Sequence, residues 1–161
     1  MLARRARDGD REAFASLYAS FHRMVHAVAL SVRTGDAEDI VQDVFLVAWR
    51  ELPSLDEPAR FGGWLQAIAR RRAIDHHRKK RIAGDDADDV GREPAPTSEA
   101  EEALAAIRAL PETYRETMMM RLVEGLTGPE IATLTGMTPE SVRVHLCRGM
   151  KLLRERLGEV T

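Results

Sequence analysis

The chain has 161 residues, 44% hydrophobic and 31% charged but only 5% aromatic, which suits one modest domain or two small ones. A formal net charge of −2 argues against a uniformly basic nucleic-acid binder. No apolar run is long enough to span a membrane, the start MLARRARDGDREAF lacks a signal-peptide core, and Cys147 has no internal disulfide partner, so the expectation is a cytoplasmic chain without membrane insertion.

Apolar residues recur at helical spacing throughout, no alternating strand run stands out, and Ala, Leu, Arg and Glu are abundant. These features predict an all-α protein. The first helix is expected from about Asp10 to Val32, with Phe14, Leu17, Tyr18, Phe21, Val25 and Val28 as its apolar stripe and Gly35 breaking it. The second starts at Asp36, a good N-cap, and runs to about Leu52, where Pro53 closes it. Its inner face is Val41, Val44, Phe45, Ala48 and Leu52, while Glu38, Asp39, Gln42, Asp43 and Arg50 lie elsewhere.

A loop from Pro53 to Ala59 leads to a third helix, about Arg60 to Lys80, whose first half buries Phe61, Trp64, Leu65 and Ile68. Its end, Arg70 to Arg81, is seven-twelfths Lys and Arg. That exceeds what a helix C-terminus needs to offset its dipole and points to phosphate binding. Asp75, three residues from Arg72 and from Arg78, suits a helix-surface ion pair.

The net charge is uneven: +4 over residues 1–81, −7 over 82–102 and +1 over 103–161. The middle segment, IAGDDADDVGREPAPTSEAEE, has almost no apolar periodicity and reads as a flexible acidic linker between two domains, 1–81 and 103–161. One expectation is that Asp85, Asp86, Asp88 and Asp89 lie against the basic faces when DNA is absent.

The segment Thr127 to Leu157 reads as two short helices joined by a tight turn. Thr127-Gly128-Pro129-Glu130 fits a capping box, Gly136 ends the first helix, and Thr138-Pro139 caps the second. Val142, Leu146, Met150, Leu153 and Leu157 form one buried stripe; Val144, Cys147, Arg148 and Lys151 fall opposite, with Arg143 on the flank. A solvated helix in an ordinary bundle would also be charged. Paired caps around a three-residue turn, followed at once by a basic helix, favour a helix-turn-helix that presents a recognition helix to the major groove.

Enzyme chemistry finds no support. No nucleophile–base pair or phosphate-cradling glycine loop is visible, and no cofactor is implied. His76 and His77 are adjacent and face different ways; His22 and His26, four apart, have no evident third ligand, so no metal site is expected.

Taken together, AEDIVQDVFLVAW, FGGWLQAIARRRAIDHHRKKR and LPETYRETMMMRLVEGLTGPEIATLTGMTPESVRVHLCRGMKLLRERL resemble extracytoplasmic-function sigma factors, bacterial transcription-initiation subunits that keep the second and fourth conserved regions. The resemblance implies region 2 at 1–81, a linker at 82–102 and region 4 at 103–161. It implies that Asp39, Gln42, Asp43 and Leu46 dock on the clamp helices of the RNA polymerase largest subunit. It also implies that Arg70, Arg71, Arg78, Lys79 and Lys80 meet the minus-ten element as single strand, with the loop Ser54 to Arg60 walling a base pocket. Arg143, Val144, Cys147, Arg148 and Lys151 would read the minus-thirty-five element. Its expected partners are core polymerase, double- and single-stranded promoter DNA, and an anti-sigma factor, possibly membrane-anchored. Arg71 stands where relatives often carry Asn, and Val144 and His145 where they often carry Ser and Arg, so base preference does not transfer. His145 is expected to be partly buried. A second reading is a response-regulator-type helix-turn-helix regulator, which EIATLTGMTPESVRVHL also resembles; the absence of a strand pattern in the N-terminal half argues against its usual receiver domain.

Overall fold

The structure is a computed structural model that describes residues 1–32, 35–83 and 98–158. Eight α-helices are present among the described residues, with no strand: α1 (Leu2–Arg7), α2 (Arg11–Val32), α3 (Ala37–Glu51), α4 (Phe61–Ala83), α5 (Glu99–Arg108), α6 (Glu112–Leu122), α7 (Gly128–Thr135) and α8 (Pro139–Leu157). Two 3-10 turns, Leu52–Ser54 and Pro58–Arg60, link α3 to α4. The all-α expectation holds.

The predicted first helix is preceded by a separate short one. α1 ends at the Asp8–Gly9 corner, where Gly9 takes φ +98, a backbone region that disfavours any side chain. Asp10 then accepts the Ala13 N–H at 3.1 Å and an ion pair from Arg5 at 2.7 Å, starting α2. The Ala13 N–H, with Arg5 behind it, holds the Asp10 carboxyl below its usual range.

α2 is the axle of the fold. Its predicted stripe holds, with Leu17, Val25 and Val28 buried, Phe14 and Phe21 half-buried, and Tyr18 partly exposed against the Phe45 ring. The other side of its second half is buried too: Met24, Ala27, Ala29, Leu30 and Ser31 face α6 and neighbouring parts of the C-terminal half. A helix apolar all round is one covered on both sides. A single hydrophobic core therefore runs through both halves of the chain.

α5 begins at Glu99, inside the segment read as linker. Ser98 accepts the Glu101 N–H, and Glu99, Glu101 and Glu102 occupy the first turn, where the helix dipole favours acids. The residues Asp85, Asp86, Asp88 and Asp89 lie outside the described residues.

Candidate nucleic-acid interface

The helix-turn-helix forms as its caps dictate. Thr127 accepts the Glu130 N–H at 3.3 Å and donates its own N–H to the Glu130 carboxylate at 2.7 Å, a reciprocal capping box that lowers the Glu130 pKa. Gly136 closes α7 at φ +77, and Thr138 caps α8 by accepting the Ser141 N–H at 3.1 Å. Val142 and Leu153 are buried and Leu146 and Met150 half-buried; Leu157, predicted in the same stripe, is 49% exposed because the helix ends there. The buried Gly149 lets α6 approach α8: a Cβ at this position would lie 2.6 Å from the Met118 side chain. His145 is half-buried edge-on to Tyr114, with ring centroids 5.5 Å apart, as expected. Arg143, Val144, Cys147, Arg148 and Lys151 are all exposed on one side of α8. Beside them an apolar groove of about 550 Å³ is lined by Pro129, Pro139, Val142, Leu146, Cys147 and Met150.

The basic end of α4 divides its cations among three directions. Arg72, His76 and Lys80, four residues apart, form the stripe against α3. Arg72 pairs with Asp43 at 2.6 Å, Lys80 with Asp36 at 2.6 Å, and His76 lies 3.5 Å from Asp36. The Lys80 ammonium holds the Asp36 carboxyl below its usual range, and the hydrogen bond to Asp43 raises the Arg72 pKa. Asp36 thus stands at the N-cap position of α3 without capping it; its carboxylate goes to α4 instead. Asp43 is the direct hydrogen-bond partner of Arg72, and Asp75 adds a weaker charge attraction to the same guanidinium.

Arg70 takes the second direction, toward α6. Its Nε and Nη2 donate to the two oxygens of Glu116 at 2.7 and 2.8 Å, and Gln66 Nε2 donates to the same carboxylate at 2.7 Å. The forked bond raises Arg70. Only Arg71, Arg78 and Lys79 of the predicted minus-ten set face solvent freely. Of the predicted polymerase-docking set, Asp39 and Gln42 are exposed, Leu46 is 58% exposed, and Asp43 is half-buried against Arg72.

The loop before α4 is pinned by Leu52 and Leu55, both buried, and leaves Ser54, Asp56, Glu57 and Arg60 exposed. Phe61 and Trp64 pack inward, Phe61 against Phe21 at 5.0 Å, so core packing rather than base stacking occupies them. α1 reaches this loop: Arg7 Nη1 donates to the Leu55 carbonyl at 3.2 Å and lies 3.5 Å from that of Asp56.

The two halves meet at several polar contacts besides Arg70–Glu116. His26 Nδ1 bonds the Glu124 carboxylate, Arg23 donates to the Glu124 carbonyl, and Arg108 Nε donates to the Leu30 carbonyl at 2.8 Å. Glu38 also lies 3.5 Å from His26 and 3.8 Å from His22, yet no group of three or more ligands able to hold a metal forms among the described residues. Backbone approaches backbone tightly at Gly62, where a Cβ would sit 1.9 Å from the Leu134 carbonyl oxygen. None of these contacts was foreseen from the sequence; the Gly62-Gly63 pair ahead of Trp64 is the one local signal of a tight approach.

No helix among the described residues is long and apolar enough to cross a membrane. In comparisons with known proteins, the family Sigma-70 region 2 matches residues 17–82, and Sigma-70, region 4 matches residues 100–153. The chain is 34% identical to the RNA polymerase sigma factor CarQ of Myxococcus xanthus, over 97% of this chain and 95% of that protein. It is 32% identical to the "Probable RNA polymerase sigma factor RfaY" of Xanthomonas campestris pv. campestris over 92% of this chain, and spans 41% of that longer protein. Its fold is similar to the solved structure of CnrH in complex with the cytosolic domain of CnrY, with a TM-score of 0.63 and 25% identity over 99% of this chain and 97% of that one.

Proposed function

Because this chain belongs to the sigma-70 family, and within it to the extracytoplasmic-function sigma factors, we propose that it is an alternative sigma factor that directs RNA polymerase to its own class of promoters. The observation that carries this is the order of parts: a region-2 match that ends in the cationic helix α4, then a region-4 match that ends in a helix-turn-helix with a cationic outer face. The regulator reading has no counterpart for the first of these.

In this reading the exposed side of α3, with Asp39, Gln42 and Leu46, docks on the largest-subunit clamp helices. An exposed leucine flanked by polar and acidic groups suits a partly apolar, cationic partner surface. Arg71, Arg78 and Lys79 track the backbone of the melted minus-ten strand, and the loop 54–60 receives an extruded base. Arg143, Arg148 and Lys151 reach phosphates or guanine in the minus-thirty-five element, while Val144 can touch a thymine methyl. Polymerase supplies the bond-making chemistry; this chain selects and opens the promoter in the cytoplasm, under an anti-sigma factor.

Reach adds a requirement. Elements centred about 25 base pairs apart are separated by roughly 85 Å of duplex at 3.4 Å per pair. A 161-residue compact chain has a radius of gyration of about 15 Å, hence a diameter near 40 Å. The packed arrangement cannot sit on both elements at once, so the halves part on the promoter. Residues 84–97, at most about 3.6 Å each when extended, are long enough to span the remainder. Parting also frees Arg70 and Gln66 from Glu116 and returns Arg70 to the minus-ten face.

Run-off transcription with bare core polymerase, on promoters mapped in the source organism, tests the proposal. Promoter-specific transcripts are expected. DNA binding without core-dependent transcription would favour the regulator instead.

A further inference from the structure

We infer that Arg7 is a positioning residue for minus-ten capture: from α1 it holds the Leu55 and Asp56 carbonyls and thereby shapes the loop that receives the extruded base. The inference rests on the sigma-factor reading but concerns a segment outside the region-2 match, which begins at residue 17.

α1 is built as a brace. Its inner side is buried through Ala3 and Ala6. Its end is fixed by the Gly9 corner and by Asp10, which joins the Arg5 guanidinium to the first turn of α2. It packs against both 3-10 turns of the loop, Leu52–Ser54 and Pro58–Arg60, as well as against α2. From this fixed platform Arg7, its side chain 28% exposed, extends to the loop.

The loop needs such a support. Leu52 and Leu55 anchor it by burial, and Ser54 Oγ donates to the Glu51 carbonyl at 2.6 Å, but these bonds hold its first half. Past Leu55, Asp56 and Glu57 are exposed, and the next local bond is Arg60 N–H to the Glu57 carbonyl at 2.9 Å. Arg7 closes that gap with charge-assisted bonds to backbone carbonyls, which fix the path of the chain whatever side chains it carries. A base pocket works when its wall is already in place, since ordering it during capture would consume binding energy. Arg7 turns Nη1 to protein carbonyls while its Nε lies 3.9 Å from the Asp8 carboxylate, and its role is distinct from that of cations that meet phosphate.

The test compares Arg7→Met with wild type, and with Arg4→Met, an exposed cation on the same helix. Holoenzyme is reconstituted on a mapped promoter carrying 2-aminopurine in the minus-ten element. Arg7→Met is expected to shorten open-complex lifetime about tenfold and to reduce the 2-aminopurine signal of the extruded base. Affinity for core polymerase and the salt slope of promoter binding should stay at wild-type values and the thermal midpoint should fall by no more than about a few degrees, while every property of Arg4→Met stays unchanged. An unchanged lifetime would overturn the inference. So would a salt slope lower by about one, which marks a direct phosphate contact, or a parallel loss of core affinity and thermal midpoint, which marks a general fold defect. Failure of wild type to start transcription at the mapped promoter would instead remove the sigma-factor reading, and this inference with it.

Discussion

Substituting Glu116 by Gln should open the packed arrangement. Glu116 is 15% exposed and receives three hydrogen bonds from the opposite half, two of them from Arg70. Glutamine has nearly the same shape but no charge and only one acceptor oxygen, so Arg70 loses the ion pair and the two-oxygen fork and keeps only hydrogen bonds to an uncharged oxygen. Arg70 is itself 41% exposed and regains water when released, so the loss is well below that of a fully buried pair. About 2 kcal/mol is the expected shift, close to thirtyfold in the closed-to-open ratio. If wild type were closed about a hundred to one, the variant would be open about a quarter of the time, and its apparent affinity for single-stranded minus-ten DNA would rise about twentyfold. Adding Glu124→Gln, which removes the carboxylate on His26, should carry the chain past half open. Small-angle scattering would then show the radius of gyration climbing from about 15 Å toward about 20 Å, and anisotropy with a labelled minus-ten strand would report the affinity. A double variant as compact as wild type, with unchanged DNA affinity, would refute the view that these carboxylates hold the halves together.

Other outcomes follow from the same geometry. Arg148→Ala should weaken minus-thirty-five binding by about 1–3 kcal/mol if the guanidinium reads a base; a loss of a few tenths in a gel-shift titration would place it in solvent. Asp39→Ala combined with Gln42→Ala should lower affinity for core polymerase while leaving binding of the full chain to minus-thirty-five DNA intact, and equal core affinity by surface plasmon resonance would exclude this docking surface. Asp36, held below its usual 3.8 chiefly by Lys80, contributes stability that is present above that value and lost as pH falls through its lower folded value. Asp36→Asn should therefore lower the thermal midpoint at neutral pH and flatten its acid dependence below about pH 4; an acid limb as steep as wild type would show that the pair is not the source.

The helix-turn-helix was legible because its determinants are local. Thr127, Glu130, Gly136 and Thr138 act on backbone groups within three or four residues of themselves. The division of α4's cations was not legible, since Arg70, Arg72 and Lys80 look alike in sequence and are told apart by carboxylates on α6 and α3. Glu116 is 46 residues from Arg70 and Glu124 is 98 from His26. Periodicity assigns a residue to a face but does not say what covers that face. α2 carried a readable trace of its second neighbour: apart from His26 and Ser31, MVHAVALSV is apolar on every side, which a one-sided stripe does not require. α1 escaped notice because six residues around two buried alanines are too short for a period to emerge.

Gly62 gives this architecture a genetic handle. Its missing Cβ is the space into which the Leu134 carbonyl fits, and backbone cannot swing aside as a flexible side chain can. Alanine there would wedge the halves apart by volume alone, with every charge in place, so its effect should survive high salt that screens the ion pairs. Alanine and glycine codons differ by a single base. Laboratory selections for variants that engage promoters more readily should therefore return to this codon repeatedly, where one small change does the work of several charge removals.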